Sequence, residues 1–174
     1  VLAPRWLDIV VIELAGRGTR ADEASTEDDA TDESELASLR ISVDSLVSDG
    51  LPWVFVGLSA GALLCLELIN SKSWPLLMRV VLAGRAPLHT WTGPTVLIPS
   101  EDEIKRMYAF APQDMMVSDA FARIALPRLK ADLGRDARAE YRLSCRLDSV
   151  GFLLNKPLLV LCGAHDSSFS LDVA

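Results

Sequence analysis

Basic charge and histidine are scarce in this chain, and each shortage closes off a class of function. Lys and Arg number 17 against 24 Asp and Glu, which gives a net charge of −7 and a pI near 4.8. A nucleic-acid partner needs a basic face that this balance does not offer. No apolar run reaches the ~18 residues of a membrane span. The opening "VLAPRW" has no Met and none of the pattern of a secretory signal, and reads as the middle of a polypeptide running straight into a strand. Three cysteines, Cys65, Cys145 and Cys162, are odd in number, scattered and without CxxC spacing. That set argues against a disulfide frame or a cysteine metal site, and predicts reduced core thiols in a cytoplasmic protein. Only two histidines are present, His89 and His165. No internal repeat or low-complexity segment was found.

What is abundant is apolar residue: 50% of the 174 positions, ample for one packed domain. "LDIVVIEL" (7–14), "PWVFVG" (52–57), "MRVVLAG" (78–84) and "KPLLVLCG" (156–163) are short, β-branched and nearly continuous in apolar character. Such runs predict strands buried on both faces of a sheet. After the first comes the turn "AGRGTR", then "ADEASTEDDATDESE" (21–35), eight acids and no base, which reads as a solvated connection. Its tail, Asp32-x-x-Glu35, has the form of a capping box before a helix that repeats Leu36, Leu39, Val43, Leu46 and Val47. "GALLCLELIN" (61–70) predicts a second helix between the second and third strands. Strands alternating with helices indicate a mostly parallel sheet with crossover helices, an α/β fold.

Residues 85–155 are too many for one crossover. Within them, 99–111 and 118–134 look helical, with Ser100 and Ser118 as N-caps. The stretch 85–145 is expected to form a helical lid over the carboxyl ends of the strands, where open α/β sheets bind ligands.

The element with chemistry in it is Gly57-Leu58-Ser59-Ala60-Gly61, between a buried strand and an apolar helix. As a bare Gly-x-Ser-x-Gly it is weak, matching by chance in roughly one chain of this length in twenty. Its context carries the weight: a strand that turns sharply into a helix stands the serine above the sheet edge, exposed as a nucleophile. The helix start points free N–H groups at a developing oxyanion, the N–H of Ala60 first. The rival reading is a small residue at a tight turn. A serine nucleophile needs a base, and the base an orienting carboxylate, in the chain order Ser, acid, His. Asp166, just past the last predicted strand, is the candidate acid, against a plain loop aspartate. Neither histidine follows it: His165 is its neighbour in sequence, and His89 precedes the lid.

Several segments in order resemble the type II thioesterases, stand-alone α/β-hydrolase enzymes that serve nonribosomal peptide, polyketide and fatty-acid synthases. "ELAGRGTR" resembles their "LPGRGxR", "PWVFVGLSAGALLCLELI" their "PFxxFGHSMGAxLAFEL", and "LAGRAPLH" their "SGRRAPH". "LPRLKADL" followed by "YR" is similar to "LPxLRADxxxxxxY" of the lid, and "KPLLVLCGAHD" to "CPIxxxxGxxD". The resemblance puts the triad aspartate on Asp166 and the nucleophile on Ser59. Leu58 and Ala60 stand where the family commonly has His and Met. The family's first strand and its glycine-rich oxyanion loop are expected before Val1, and the glycine-histidine segment carrying the base, with the last strand and helix, after Ala174. On that expectation residues 1–174 are one truncated α/β-hydrolase domain lacking its catalytic His. Loss of an oxyanion donor costs roughly 10²–10³ in rate, and loss of the base on the order of 10⁶.

The resemblance implies hydrolysis of acyl thioesters on the phosphopantetheine arm of an acyl or peptidyl carrier protein, clearing stalled or misprimed chains. It implies no metal or diffusible cofactor. Carriers are usually acidic, so residues 21–35 would repel them; Arg85, Arg123, Arg128 and Lys130 are the expected docking residues. Two other readings stand beside it, a carboxylester hydrolase and a non-catalytic hydrolase-like binding protein.

Overall fold

The computed structural model describes residues 8–20, 22–23, 29–84, 100–108, 112–147 and 156–163. Three parallel strands form the sheet in the order β1 (Trp53–Leu58), β2 (Leu77–Ala83) and β3 (Leu158–Leu161). Leu58 pairs with Ala83, and Ala83 with Leu161, so all three strands end at one edge. Helix α1 (Asp29–Leu46) precedes β1, and α2 (Ala60–Ser71) joins β1 to β2. Between β2 and β3 lie α3 (Glu101–Met107), α4 (Gln113–Met116), a π-helical turn (Phe121–Ala125) and the long α5 (Leu126–Leu147). No helix among the described residues is long and apolar enough to cross a membrane.

One sheet face is covered. Phe55, Val80 and Leu82 pack with Leu39 and Val43 of α1, with Ala62, Leu63 and Leu66 of α2, and with Ala139 and Leu143 of α5. At the strand starts Trp53, Phe55 and Trp74 meet edge to face, and the Trp74 indole donates to the Leu68 carbonyl at 3.0 Å. The other face, with Val54, Val56, Leu58, Leu159 and Leu161, is exposed. Strands buried on both sides were expected; instead burial alternates along β1, because α1, α2 and α5 share a single core with one face.

The expected first strand also differs. Residues 8–14 run without strand pairing, and Ile9, Val10, Val11 and Ile12 are 40 to 83% exposed. Among the described residues β1 pairs only with β2, so its outer edge is open and this apolar run does not add to it. Leu14 alone reaches the core.

The acidic segment is not simply a solvated connection. α1 begins at Asp29, which puts Asp32 inside the helix rather than at its cap. Asp32 is 2% exposed and accepts from Arg138 at 2.8 and 2.9 Å and from Arg142 at 3.2 Å. Glu35 pairs with Arg135 at 3.3 Å. The arginines of α5, far off in sequence, turn these acids inward.

Ser100 caps α3 with a full capping box to Glu103, and the Ser118 hydroxyl accepts from the Phe121 N–H at 3.1 Å, both as expected. The helix after Ser118 runs on past Gly134 to Leu147. Just before it, the chain takes a π-helical turn in which the Leu126 N–H bonds to the Phe121 carbonyl. Pro127 has no N–H to give the Arg123 carbonyl, and the wider turn accommodates that loss. Ile104, Phe121 and Leu126 form a second small core, and α5 runs from it into the main one.

Candidate active site

At the carboxyl end of β1 the backbone reverses into α2 within one residue. Gly57 makes this possible: a Cβ there would lie 2.4 Å from the Gly61 carbonyl oxygen and 2.7 Å from Ala62 Cα. Gly61, the second glycine of the motif, has nothing within 4 Å of an added Cβ. Only the first glycine is dictated by close approach.

Ser59 stands at the apex with φ 53° and ψ −118°, the one non-glycine residue at positive φ among those described. Its N–H donates to the Ala83 carbonyl at 2.8 Å, and its carbonyl accepts from the Ala62 N–H at 2.9 Å. Both bonds hold the backbone. The side chain occupies the N-cap position of α2 yet makes no capping hydrogen bond, and the residue is exposed. A plain turn would use glycine here, since such a conformation costs a side chain about 1–3 kcal/mol. The strain is held by these two backbone bonds, and the exposed serine contributes no cap to the helix it begins.

Ala60 opens α2, so its N–H is among those a helix start leaves without an intrahelical acceptor. No acid occupies the first turn of α2, so the positive end of the helix is not neutralised by its own side chains. Beside this turn Gly84, just past β2, has φ 64°; a Cβ there would touch Leu58 Cδ1 at 3.4 Å. Its N–H donates to the Leu161 carbonyl at 3.1 Å, which ties the ends of β2 and β3 together next to Ser59. The chain leaves β3 at this same edge. Asp166, His165 and His89 lie outside the described residues, as does Arg85. Of the expected docking residues, Arg123 is exposed on the π turn and Lys130 pairs with Glu101 at 2.7 Å.

Two features escaped the sequence reading. Glu67 sits in the apolar body of α2, 6% exposed, and accepts from Arg142 Nε at 2.7 Å. Burial pulls the Arg142 guanidinium down, and Glu67 and Asp32 more than offset this, leaving it above its ordinary value. The signal was a lone acid between Leu66 and Leu68 in "LLCLELI". The second is thiol placement: only Cys65 is a core thiol, its pKa pushed up to about 12 by burial, whereas Cys145 and Cys162 are exposed. Among the described residues no group of three or more His, Cys, Asp or Glu could hold a metal ion.

No protein-family model and no curated protein matches the chain. Among solved structures it is similar to "RedJ with PEG molecule bound in the active site", with a TM-score of 0.54 at 18% identity over 87% of this chain and 72% of that one. The likeness is one of fold, helices packed on a parallel sheet.

Proposed function

We propose that the chain is the catalytic domain of a serine thioesterase that acts on acyl groups carried on the phosphopantetheine arm of a carrier protein. The observation that carries this reading is Ser59, a strained, exposed serine at a strand-to-helix turn whose side chain makes no capping hydrogen bond. The ordered segments resembling type II thioesterases support the choice of a thioester. So does the fold shared with RedJ, whose active site holds a polyethylene glycol, an extended flexible chain.

In the proposed reaction Ser59 Oγ attacks the thioester carbonyl as an imidazole takes its proton. The oxyanion of the tetrahedral intermediate is met by the Ala60 N–H. As that intermediate collapses the C–S bond breaks, and the thiolate takes the imidazole's proton and leaves as the pantetheine thiol. Water, deprotonated by the same base, then attacks the acyl-serine ester, releasing the acid and restoring Ser59. Asp166 orients the imidazole, and the 85–145 stretch covers the acyl chain. Arg123 is the exposed cation proposed to meet an acidic carrier. The imidazole is proposed to come from the glycine-histidine segment of the family pattern, so the assay uses the complete gene product.

The test is release of thiol from acyl-pantetheine, with Ser59→Ala as control and p-nitrophenyl esters as competing substrates. Ser59-dependent thiol release is expected. Equal release by wild type and Ser59→Ala overturns the assignment, and a preference for oxygen esters moves it to a carboxylesterase. Loss of activity in His89→Ala or His165→Ala would place the base on that residue; retention in both places it elsewhere in the gene product.

A further inference from the structure

Four charged residues from three helices meet against the main core. Asp32 of α1 receives both Arg138 and Arg142, and Arg142 reaches on to Glu67 of α2. α2 is the helix that begins at the Ser59 turn. We infer that Arg142 is a positioning residue: through Glu67 it fixes the axial register of α2, and with it the place of Ser59 and of the Ala60 N–H. This rests on the reading of Ser59 as a nucleophile.

The physical case begins with what holds α2. Around Glu67 it contributes Leu63, Leu66 and Leu68 to the core. Such contacts are strong in sum but nondirectional, and permit small slides and rotations. Glu67 is the one charged residue in the helix and is almost fully buried. Burying an ion pair is a poor way to gain stability, because desolvation offsets the attraction and apolar residues of similar size often do better. A planar guanidinium is a good way to gain direction, since its donors fix angle as well as distance. Arg142 uses Nε on Glu67 and Nη1 on Asp32, so α2 and α1 are both referenced to α5.

The lever is short. Glu67 follows Ser59 by two helical turns, about 12 Å at 1.5 Å per residue. Over that length an α-helix is stiff, so an axial shift at Glu67 arrives undiminished at Ala60. A misplacement of ~1 Å at a reacting group can cost on the order of 10²-fold in rate. α5 also carries a second tie: Asp132 is bridged by Arg17 of the Gly16-Arg17-Gly18 turn. The helix therefore references both the loop before α1 and the nucleophile helix.

The experiment uses the complete gene product carrying Glu67→Leu with Arg142→Met. This pair removes the α2–α5 link without stranding a buried charge, and leaves the Arg138–Asp32 pair to hold α5 to α1. The expected result is a cooperative melt, a KM within about twofold of wild type, and a fall of at least about tenfold both in kcat and in the rate of Ser59 labelling by a fluorophosphonate. A folded double variant with wild-type kcat and labelling rate overturns the inference. Should the pair prevent folding, Arg142→Lys, which keeps the charge but loses the planar fork that spans Glu67 and Asp32, is read in the same way. If wild type shows neither Ser59-dependent turnover nor labelling, the thioesterase reading fails, and amide exchange alone decides the inference. Faster exchange across residues 60–63 of the variant then supports the positioning role, and unchanged exchange overturns it.

Discussion

Ser59 holds a backbone conformation that glycine would adopt without strain. Ser59→Gly is therefore expected to raise the free energy of unfolding by about 1 kcal/mol or more while abolishing turnover, and Ser59→Ala to abolish turnover without that gain. Urea midpoints and a thiol-release assay read the two effects separately. The glycines of the motif divide in the same way. Gly57→Ala should cost about 1–3 kcal/mol, because its Cβ meets backbone that cannot swing aside. Gly61→Ala has open space and should add up to about 1 kcal/mol through helix propensity. The sequence showed both glycines as one motif; the unequal demand comes from how closely α2 crosses behind β1, which a spacing pattern does not encode. Among the thiols, Cys65 should resist iodoacetamide at pH 8 until the protein is unfolded, since burial keeps it protonated, while Cys145 and Cys162 label in the native state. Peptide mass analysis distinguishes the three. Their neighbours in sequence misled: an apolar context was read as core, yet Cys145 and Cys162 are exposed.

At the scale of elements, helices and strands were legible wherever a periodic apolar pattern met its own partner. The strands β1, β2 and β3 fall within a residue or two of the expected runs, and the caps at Ser100 and Ser118 are where side-chain chemistry places them. Failures came where a distant charge decides. Asp32-x-x-Glu35 has the spacing of a capping box, but Arg138 and Arg142 draw Asp32 into the α1–α5 interface, an attraction invisible in a local window. Asp32→Ala should cost about 1–3 kcal/mol, because it removes the buried carboxylate that Arg138 and Arg142 share. Chemical denaturation measures this. Gly134 was a plausible stop, yet α5 passes through it, its two ends held in two separate cores. Docking at both ends outweighs the ~1 kcal/mol that a glycine costs within a helix.

For the molecule as a whole, the described sheet has one buried and one open apolar face, an unpaired β1 edge and the exposed run Ile9–Ile12. An exposed apolar edge of this kind invites strand pairing between molecules. Val56→Lys, at an exposed edge position, should lower concentration-dependent association in light scattering without lowering Tm. The parallel α/β architecture was legible because it follows from strand composition and spacing. Which face the helices would cover was not, because the sequences of α1, α2 and α5 do not state that the three share a single core. The central claim remains that this architecture exists to hold one serine in an exposed, strained turn. Mass spectrometry of the complete gene product after brief incubation with an acyl-pantetheine thioester tests it most directly. The account predicts an added acyl mass on the peptide containing Ser59, lost on further incubation and absent from Ser59→Ala. Thioester cleavage that leaves Ser59 unmodified at every time point, or that persists in Ser59→Ala, would contradict it.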